Sequence, residues 1–265
     1  MKILDQVGRE LHLKDAPKRV VSLVPSITEL LFDLGFEVVG RTKFCVHPKS
    51  IEECAIIGGT KNVNINKVVS LNPDLVVANK EENRQEAVDE LSRAGLPVYV
   101  SDISNVTESL YLTTELGKVG AAENAAKLIN ENIKNIFQKC REHKSLRILY
   151  FIWKKPYMVA GTDTFISDVL TKLNLENCIK SSRTDSLRYP KITTEQISHL
   201  KPDVILLSSE PYPFKEIHAK ELTKQTGIPV VLVNGECFSW YGSRLSKSLD
   251  YLVNFSRLLR DEIES

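Results

Sequence analysis

Short apolar segments alternate with amphipathic segments along this chain, and part of the pattern occurs twice. Residues 66–101 and 195–233 each predict a helix, a turn, a buried strand, a loop, a second helix, a tight turn and a second buried strand. The pairs Pro73–Asp74 and Pro202–Asp203 stand at the first turn of each copy. Two buried strands joined by a helix form a parallel crossover unit. The repeat therefore predicts an α/β fold of two similar lobes, with a ligand cleft where their loops face each other.

The first lobe opens with a predicted strand and a strand-to-helix turn. Residues 18–24 are apolar and rich in valine, as buried strands are, and residues 38–42 predict the next strand. Ser26 and Glu29 have the spacing of a capping box, so we expect a helix to begin there, and Gly35 to end it. Turns of this kind direct backbone N–H groups into a crevice at the carboxyl ends of the strands. Ser26 is therefore a candidate ligand-binding residue.

The longest helix-like stretch, residues 106–143, lies between the two copies. It has no proline from Thr113 to Glu142, and a continuous helix there would span roughly 45 Å. Gly117 and Gly120 weaken its first turns. We predict an N-terminal α/β lobe at residues 1–112, one long backbone helix at residues 113–143 that joins the lobes, and a C-terminal α/β lobe at residues 144–265. The apolar positions that share one face of this helix are Leu116, Val119, Ala126, Ile129, Ile133, Ile136, Phe137 and Cys140.

Composition narrows the class of protein. The 265 residues contain 35 Lys and Arg against 34 Asp and Glu, without a dense basic run, which argues against nucleic-acid binding. No apolar run is long enough for a transmembrane helix, and the first residues lack the apolar core of a secretion signal. Five cysteines without framework spacing suit free thiols in a reducing compartment. As written, the sequence predicts a cytoplasmic protein, or a periplasmic or envelope-associated one if a signal was removed.

An ordered series of segments resembles a known family. The segments are RVVSLVPSITELLFDLG, GGTKNVNINKVVSLNPDLVVA, AGLPVYV, VAGTDTFISDVL, RYPKITTEQISHLKPDVILL and YGSRL. In this order they resemble the helical-backbone substrate-binding proteins of ABC importers, which take up cobalamin, ferric siderophores, haem and some metal ions. The similarity is greatest to the cobalamin-binding branch. It implies two α/β lobes, a rigid connecting helix and a ligand held between the lobes.

The resemblance also brings departures. Cobalamin binders line their cleft with aromatic residues, whereas the matching positions of the first lobe are His47, Thr60 and Asn79. The family places an acidic residue on each lobe to dock on the membrane permease. The second lobe has Glu195, which implies an ABC permease docking near it, and the first has Asn66 at the matching position.

Aromatic residues near the end of the chain form the first candidate site. Phe238, Trp240, Tyr241 and Arg244 follow the last predicted strand, where open parallel sheets bind ligands. Aromatic rings supply large contact areas, and an arginine pairs with carboxylates or phosphates. The alternative is that the rings pack the last helix onto the lobe. Neighbouring loops add Tyr157, Arg188, Tyr189, Glu210 and Tyr212, for which the alternative is an ordinary surface turn.

A metal-binding interpretation rests on one loop of the first lobe. Cys45 and His47 offer two ligand atoms for zinc, copper or a corrin metal, and His218 is a further candidate. The alternative is packing and hydrogen bonding. Phe44 in the same loop and Lys80 after a buried strand complete the set of candidate ligand-binding residues.

The sequence thus predicts a substrate-binding protein, not an enzyme, that holds a metal chelate between two lobes for an ABC-type importer. No intrinsic cofactor is expected; the ligand would be a corrinoid, a haem or a ferric chelate. One alternative is a cytoplasmic sensor or carrier on the same fold. Another is a metal-dependent enzyme using Cys45 and His47. The expected partners are a small-molecule chelate and a permease, without nucleic acid or membrane insertion.

Gly58–Lys61 lacks the spacing of a phosphate loop, and Gly161–Thr164 predicts a turn and a helix cap.

Overall fold

The chain folds into two compact α/β units in the computed structural model, which describes residues 1–139, 145–180 and 188–264. Unit 1 comprises Met1–Ile103, Thr107–Asn132 and Tyr241–Ser246. Unit 2 comprises Ser104–Val106, Ile133–Trp240 and Lys247–Ser265. None of the helices in the described ranges is long and apolar enough to span a lipid bilayer.

Unit 1 is built on a five-stranded parallel sheet in the order β5-β4-β3-β6-β7. A two-stranded hairpin of β1 and β2 precedes it. The strands are β1 (Lys2–Leu4), β2 (Glu10–His12), β3 (Arg19–Ser22), β4 (Glu37–Arg41), β5 (Ala55–Ile56), β6 (Leu75–Asn79) and β7 (Val98–Ser101). The helices that begin along this part of the chain are α1 (Pro25–Asp33), α2 (Ile65–Ser70), α3 (Gln85–Arg93), α4 (Val106–Val119) and α5 (Glu123–Lys139), with a short 3-10 helix at Lys49–Glu53.

Unit 2 repeats the plan with four parallel strands in the order β10-β8-β11-β12, and β9 pairs with β8 in the antiparallel direction. The strands are β8 (Leu146–Trp153), β9 (Met158–Val159), β10 (Leu175–Asn177), β11 (Val204–Ser208) and β12 (Val230–Val233). The helices are α6 (Phe165–Lys172), α7 (Thr194–Leu200), α8 (Glu216–Thr226), α9 (Glu236–Ser239), α10 (Ser243–Lys247) and α11 (Leu249–Glu264). The prediction of parallel sheets flanked by helices is confirmed. The central strands β3, β6 and β11 are buried almost throughout, and β8 is buried over residues 148–151, because both faces of a crossover sheet are covered.

The repeated Pro–Asp pairs have the same role in both units. Asp74 accepts hydrogen bonds from the backbone of Lys18 and Arg19 at the start of β3, each 2.9 Å long. Asp203 accepts one of 2.7 Å from the backbone of Arg147 at the start of β8. Each aspartate also donates its own N–H to the carbonyl of Arg19 or Arg147, at 2.8 Å. The repeat therefore fixes strand register at the amino ends of the sheets.

The predicted single backbone helix is wrong in one respect, because the stretch forms two helices. α4 ends at Val119, and Ala121 adopts a left-handed backbone conformation before α5 begins at Glu123. A side chain at Gly120 would collide with the ring of Phe36, so the close approach requires glycine there. α5 itself contributes residues to both units. Cys140 and the predicted end of the helix lie outside the described residues.

The capping box predicted at Ser26 is also wrong. The N-cap of α1 is Val24, and Pro25 occupies the first turn, where a missing N–H costs no hydrogen bond. Ser26 lies within the helix, and Glu29 pairs with Arg244 instead of bonding to the helix start. By contrast, the predicted cap at Thr164 is confirmed, since its hydroxyl accepts from the N–H of Ser167.

Candidate ligand-binding edges

The carboxyl ends of the parallel strands define the candidate site in each unit. In unit 1 the chain passes from β3 to β4 and β5 on one side, and then crosses back to β6 on the other side of β3. In unit 2 it passes from β8 to β10 on one side, and then crosses to β11 on the other side of β8. Ligands of open α/β sheets bind in the crevice at such a switch point.

Two asparagines join the loops at the carboxyl edge of unit 1. Asn83 donates from Nδ2 to the carbonyls of Leu23 (3.2 Å) and Thr60 (2.9 Å), and its Oδ1 accepts from the N–H of Asn79. Asn79 in turn bonds from Nδ2 to the carbonyl and hydroxyl of Ser101. Both asparagines are buried. This network holds four loops of the edge in place. The sequence signal that could have predicted it is two asparagines spaced Asn-x-x-x-Asn at the end of a buried strand.

Tyr241 reaches this edge from the far end of the chain. Its ring is buried, and the hydroxyls of Ser26 and Ser101 lie beside its own hydroxyl. Burial raises the pKa of Tyr241, and the two serine hydroxyls oppose that shift. The next residue, Gly242, donates its N–H to Ser109 Oγ at 3.0 Å. The structure thus brings the predicted residues Ser26 and Tyr241 together, with the tyrosine as a neutral, buried phenol.

Arg244 has a partner within the protein. Its Nε donates to Oε2 of Glu29 at 2.9 Å, and only 18% of the Arg244 side chain and 3% of the Glu29 side chain are exposed. The guanidinium of Arg244 thus binds Glu29 of α1 through Nε, and its contact with an acidic group of a ligand stays a prediction.

The rim of unit 1 carries the remaining predicted residues. Phe44 is 52% exposed, with the ammonium of Lys43 at 5.1 Å from its ring centroid. Lys80 forms an exposed ion pair of 2.6 Å with Asp102. His47 is half-buried in the same loop as Phe44.

Cys45 does not join His47 in a metal site. Its side chain is buried, and Sγ lies 3.1 Å from Thr28 Oγ1 and 3.2 Å from Thr42 Oγ1. Among the described residues, no group of three or more His, Cys, Asp and Glu side chains is placed to hold a metal ion. The candidate edge therefore retains His47 without the thiol.

At the carboxyl edge of unit 2, Glu210 fixes Trp240. Oε1 of Glu210 accepts from Trp240 Nε1 and from Ser239 Oγ, both at 2.7 Å. A side chain at Gly235 would collide with Ser208 Oγ and come within 2.6 Å of Glu210 Cγ. The two predicted residues Glu210 and Trp240 therefore form one tightly packed group. Its packing requires a residue without a side chain at position 235.

Phe238 is a core residue. Its ring is fully buried and contacts Tyr150, Tyr251 and Phe255, with ring centroids 5.5, 6.4 and 5.5 Å away. The expectation that Phe238 contacts the ligand is therefore corrected, because its position after β12 turns it beneath α11.

Tyr157, Arg188 and Tyr189 lie close together through backbone pairing. The carbonyl of Tyr157 accepts from Ile192, and the carbonyl of Arg188 accepts from Gly161. Arg188 Nε donates to the carbonyl of Asp163 at 2.6 Å. The rings of Tyr157 and Phe151 meet edge-on, with their centroids 5.4 Å apart. Burial raises the pKa of the Tyr157 hydroxyl. Tyr157 and Tyr189 are both half-buried.

A second aromatic group on this edge was only partly foreseen. Trp153, at the carboxyl end of β8, is 41% exposed, and its ring meets the predicted residue Tyr212 at 5.7 Å. Tyr212 also contacts Phe214 at 4.7 Å and His218 at 5.6 Å. The missed signal was a tryptophan that ends a buried strand beside two lysines.

The acidic position that the resemblance implies for permease docking is also on unit 2. Glu195 is exposed in the first turn of α7, and hydrogen bonding, chiefly from the Thr193 side chain, holds its pKa below the ordinary value. Asn66 is exposed in the first turn of α2.

Comparisons with known proteins agree on one family and one fold. The sequence profile of the family described as periplasmic binding protein matches residues 20–228. YvrC of Bacillus subtilis (strain 168), an uncharacterised ABC transporter substrate-binding lipoprotein, is 30% identical over 240 residues, covering 84% of this chain and 72% of the relative. The vitamin B12-binding protein of Yersinia pestis (strain Pestoides F) is 25% identical over 239 residues, covering 87% of this chain and 83% of the relative. A structure of the periplasmic haem-binding protein BhuT in complex with two haems matches with a TM-score of 0.79 at 21% identity, covering 93% of this chain and 99% of that one.

Proposed function

Because the chain belongs to the periplasmic binding protein family, we propose that it is the substrate-binding component of an ABC-type importer and that it binds a metal chelate of the cobalamin, haem or siderophore kind. The family consists of binding proteins, which favours ligand binding over the metal-dependent enzyme that Cys45 and His47 suggested. The named ligands of relatives, vitamin B12 and haem, share a flat metal-containing ring.

The observation that carries the proposal is the aromatic carboxyl edge of unit 2. Trp240 is held by Glu210, and the half-buried Tyr157 and Tyr189 lie on neighbouring loops. Trp240 is itself buried, so the exposed parts of Tyr157 and Tyr189 supply the contact area for a flat ligand. A whole aromatic side chain buries roughly 150–250 Å², so two half-exposed rings supply on the order of 5 kcal/mol before the costs of association.

The carboxyl edge of unit 1 supports the same function with different chemistry. Phe44 offers an exposed ring beside Lys43, and His47 offers an imidazole. The resemblance predicts that residues of both units contact one ligand, and this stays a prediction. Variants in each unit, Phe44→Ala and Tyr189→Ala, test the two contributions separately.

The test of ligand class is a titration of the whole protein with haemin, hydroxocobalamin and a ferric catecholate, followed by absorbance and calorimetry. We expect a dissociation constant in the micromolar range or below for at least one chelate. We also expect Tyr189→Ala to weaken it about tenfold, with the exposed Tyr111→Ala as the matched control. Binding weaker than millimolar for every probe would overturn the proposal.

The importer role implies a permease and a place outside the cytoplasmic membrane. One relative is named a substrate-binding lipoprotein. We propose that Glu195 marks the surface that meets the permease. Asn66 in place of a second acidic residue favours the alternative, an intracellular carrier on the same fold. Fractionation of the native cell distinguishes them, since recovery from the cytoplasm alone would contradict the importer role.

A further inference from the structure

Trp153, Tyr212 and His218, which we call the aromatic shelf, form a surface group on unit 2 that the proposed function does not yet use. Trp153 ends β8, Tyr212 follows β11, and His218 lies in the first turn of α8. All three therefore lie at the carboxyl edge of the sheet, with Phe214 buried beneath them.

The rings of the shelf hold one another in place. Tyr212 meets Trp153 at 71° and His218 at 51°, with centroids 5.7 and 5.6 Å apart. Phe214 supports His218 edge-on at 5.8 Å. The backbone N–H of Tyr212 is bonded to the carbonyl of Ile152 at 3.3 Å, which ties the two loops together. Mutual packing of this kind preorganises the exposed Trp153 and the half-buried Tyr212 and His218 for a ligand.

The tautomer of His218 follows from its hydrogen bond to the backbone. The N–H of Lys215 donates to His218 Nδ1 at 3.1 Å, which closes the first turn of α8. Nδ1 is then an acceptor without a proton, so the neutral ring carries its proton on Nε2. Burial and the nearby Lys154 hold the pKa of His218 below its ordinary value, so the ring is neutral near pH 7.

This tautomer makes His218 a hydrogen-bond donor and not a metal ligand. A histidine that binds a metal through one nitrogen normally donates from the other. Here Nδ1 accepts, and Nε2 keeps its proton. The expectation that His218 supplies a metal ligand is therefore corrected.

The shelf carries three donor groups. They are Trp153 Nε1–H, the Tyr212 hydroxyl and His218 Nε2–H, and none has a hydrogen-bond partner among the residues described. Lys154, one of the two lysines whose charge acts on His218, is paired with Glu221 at 2.5 Å, with 12% of its side chain exposed. A ligand oxygen would therefore meet donors from neutral groups, and the rings would cover an apolar part of the same ligand.

We propose that the aromatic shelf binds the periphery of the chelate, with Trp153 and Tyr212 against its ring system and His218 Nε2 donating to an oxygen of a side arm. The inference rests on the proposed function, because it assumes that the ligand is a chelate with oxygen-bearing arms. Both an amide and a carboxylate arm present such an oxygen, so two probes distinguish them: dicyanocobinamide carries amide arms and haemin carries carboxylate arms.

The test compares two conservative replacements of His218. His218→Asn keeps an acceptor near Nδ1 for the start of α8 but loses the donor, whereas His218→Gln keeps a donor near Nε2. For the probe that the unmodified protein binds, we expect His218→Asn to weaken binding about fivefold and His218→Gln to stay within about twofold. Trp153→Ala should weaken binding about tenfold. Tyr111→Ala, which removes an exposed tyrosine of α4 in unit 1, serves as the matched control and should leave the dissociation constant of the probe unchanged.

Absorption spectra provide a readout that a merely structural role would not change. If His218 ligated the metal, the spectrum of the bound haemin would shift in His218→Gln; we expect it to be the same as with the unmodified protein. Equal affinities in Trp153→Ala, His218→Asn and the unmodified protein would overturn the shelf alone. Failure of the unmodified protein to bind any chelate would overturn the shelf and the proposed function together.

Discussion

Arg244 and Glu29 form an ion pair that links α10 to α1 within unit 1. The two residues are far apart in the sequence, and the pair is nearly closed to water. A buried charge is tolerated only when its partner is present, because the loss of one partner leaves the other charge desolvated. The pair therefore explains why an arginine that resembles a ligand-binding residue is needed by the fold itself.

Arg244→Met is accordingly expected to destabilise unit 1 by about 3 kcal/mol, because it removes the guanidinium that faces the buried Glu29 carboxylate. The double variant Glu29→Leu with Arg244→Met should recover much of that loss. The exposed pair Arg19–Glu37, also 2.9 Å long, is the matched control, and its removal should cost less than about 1 kcal/mol. Urea denaturation measures the free energy of unfolding of the single, double and control variants. Equal losses for the two pairs would show that burial does not decide the outcome.

Glu210→Ala is expected to release the indole of Trp240. A hydrogen bond to a charged acceptor contributes about 2 kcal/mol, and its loss leaves Nε1 without its carboxylate. In a Trp153→Phe background, Trp240 is the sole tryptophan, so its emission should move to longer wavelength. Chelate affinity should fall about tenfold. Glu216→Ala, which removes an exposed acid in the first turn of α8, is the control; an unchanged emission in Glu210→Ala would refute the assigned role.

Gly235→Ala is expected to disturb the same group by crowding. The added carbon would meet Ser208 Oγ and Glu210 Cγ, and overpacking of this kind costs about 1–3 kcal/mol. Gly120→Ala would crowd Phe36 in unit 1 and should lose comparable stability. Only Gly235→Ala should also reduce chelate affinity. If both variants bind as the unmodified protein does, the Glu210–Trp240 geometry does not matter for binding.

Acid stability should depend on Asp74. Hydrogen bonds from the backbone of Arg19 and Lys18 hold its pKa below the ordinary value of 3.8. A carboxyl whose pKa is lower in the folded chain stabilises the fold above its unfolded pKa, and this contribution is lost as the pH falls through the folded pKa. Asp74→Asn should therefore flatten the decline in stability below about pH 4, measured by denaturant unfolding at a series of pH values. A decline as steep as in the unmodified protein would contradict this role.

Much of the fold could be predicted from the sequence because its framework is local and repeated. Residues 18–24 contain β3, and the Pro–Asp pairs identified the units before β6 and β11. Buried parallel strands are short apolar runs between turn residues, a signal that tertiary contacts do not alter. The break after Val119 was missed because its causes, the Phe36 ring against Gly120 and the left-handed Ala121, are tertiary.

The candidate site was harder to predict because residue type does not decide which contacts a buried ring makes. Phe238 and Trp240 are two residues apart and both buried, yet Phe238 is enclosed by three aromatic rings whereas Trp240 donates a hydrogen bond to Glu210. Arg244 had the right charge for a ligand but meets Glu29. Such assignments depend on contacts between distant segments, which a single sequence does not contain.

Asp74 and Asp203 stabilise the amino ends of their sheets, whereas the aromatic and asparagine groups occupy the carboxyl ends. Strand register in each sheet is thus set at the end opposite to the proposed ligand-binding edge. Loops beyond the carboxyl ends can consequently be exchanged, to design binding of a different small molecule, without altering the hydrogen bonds that set the register.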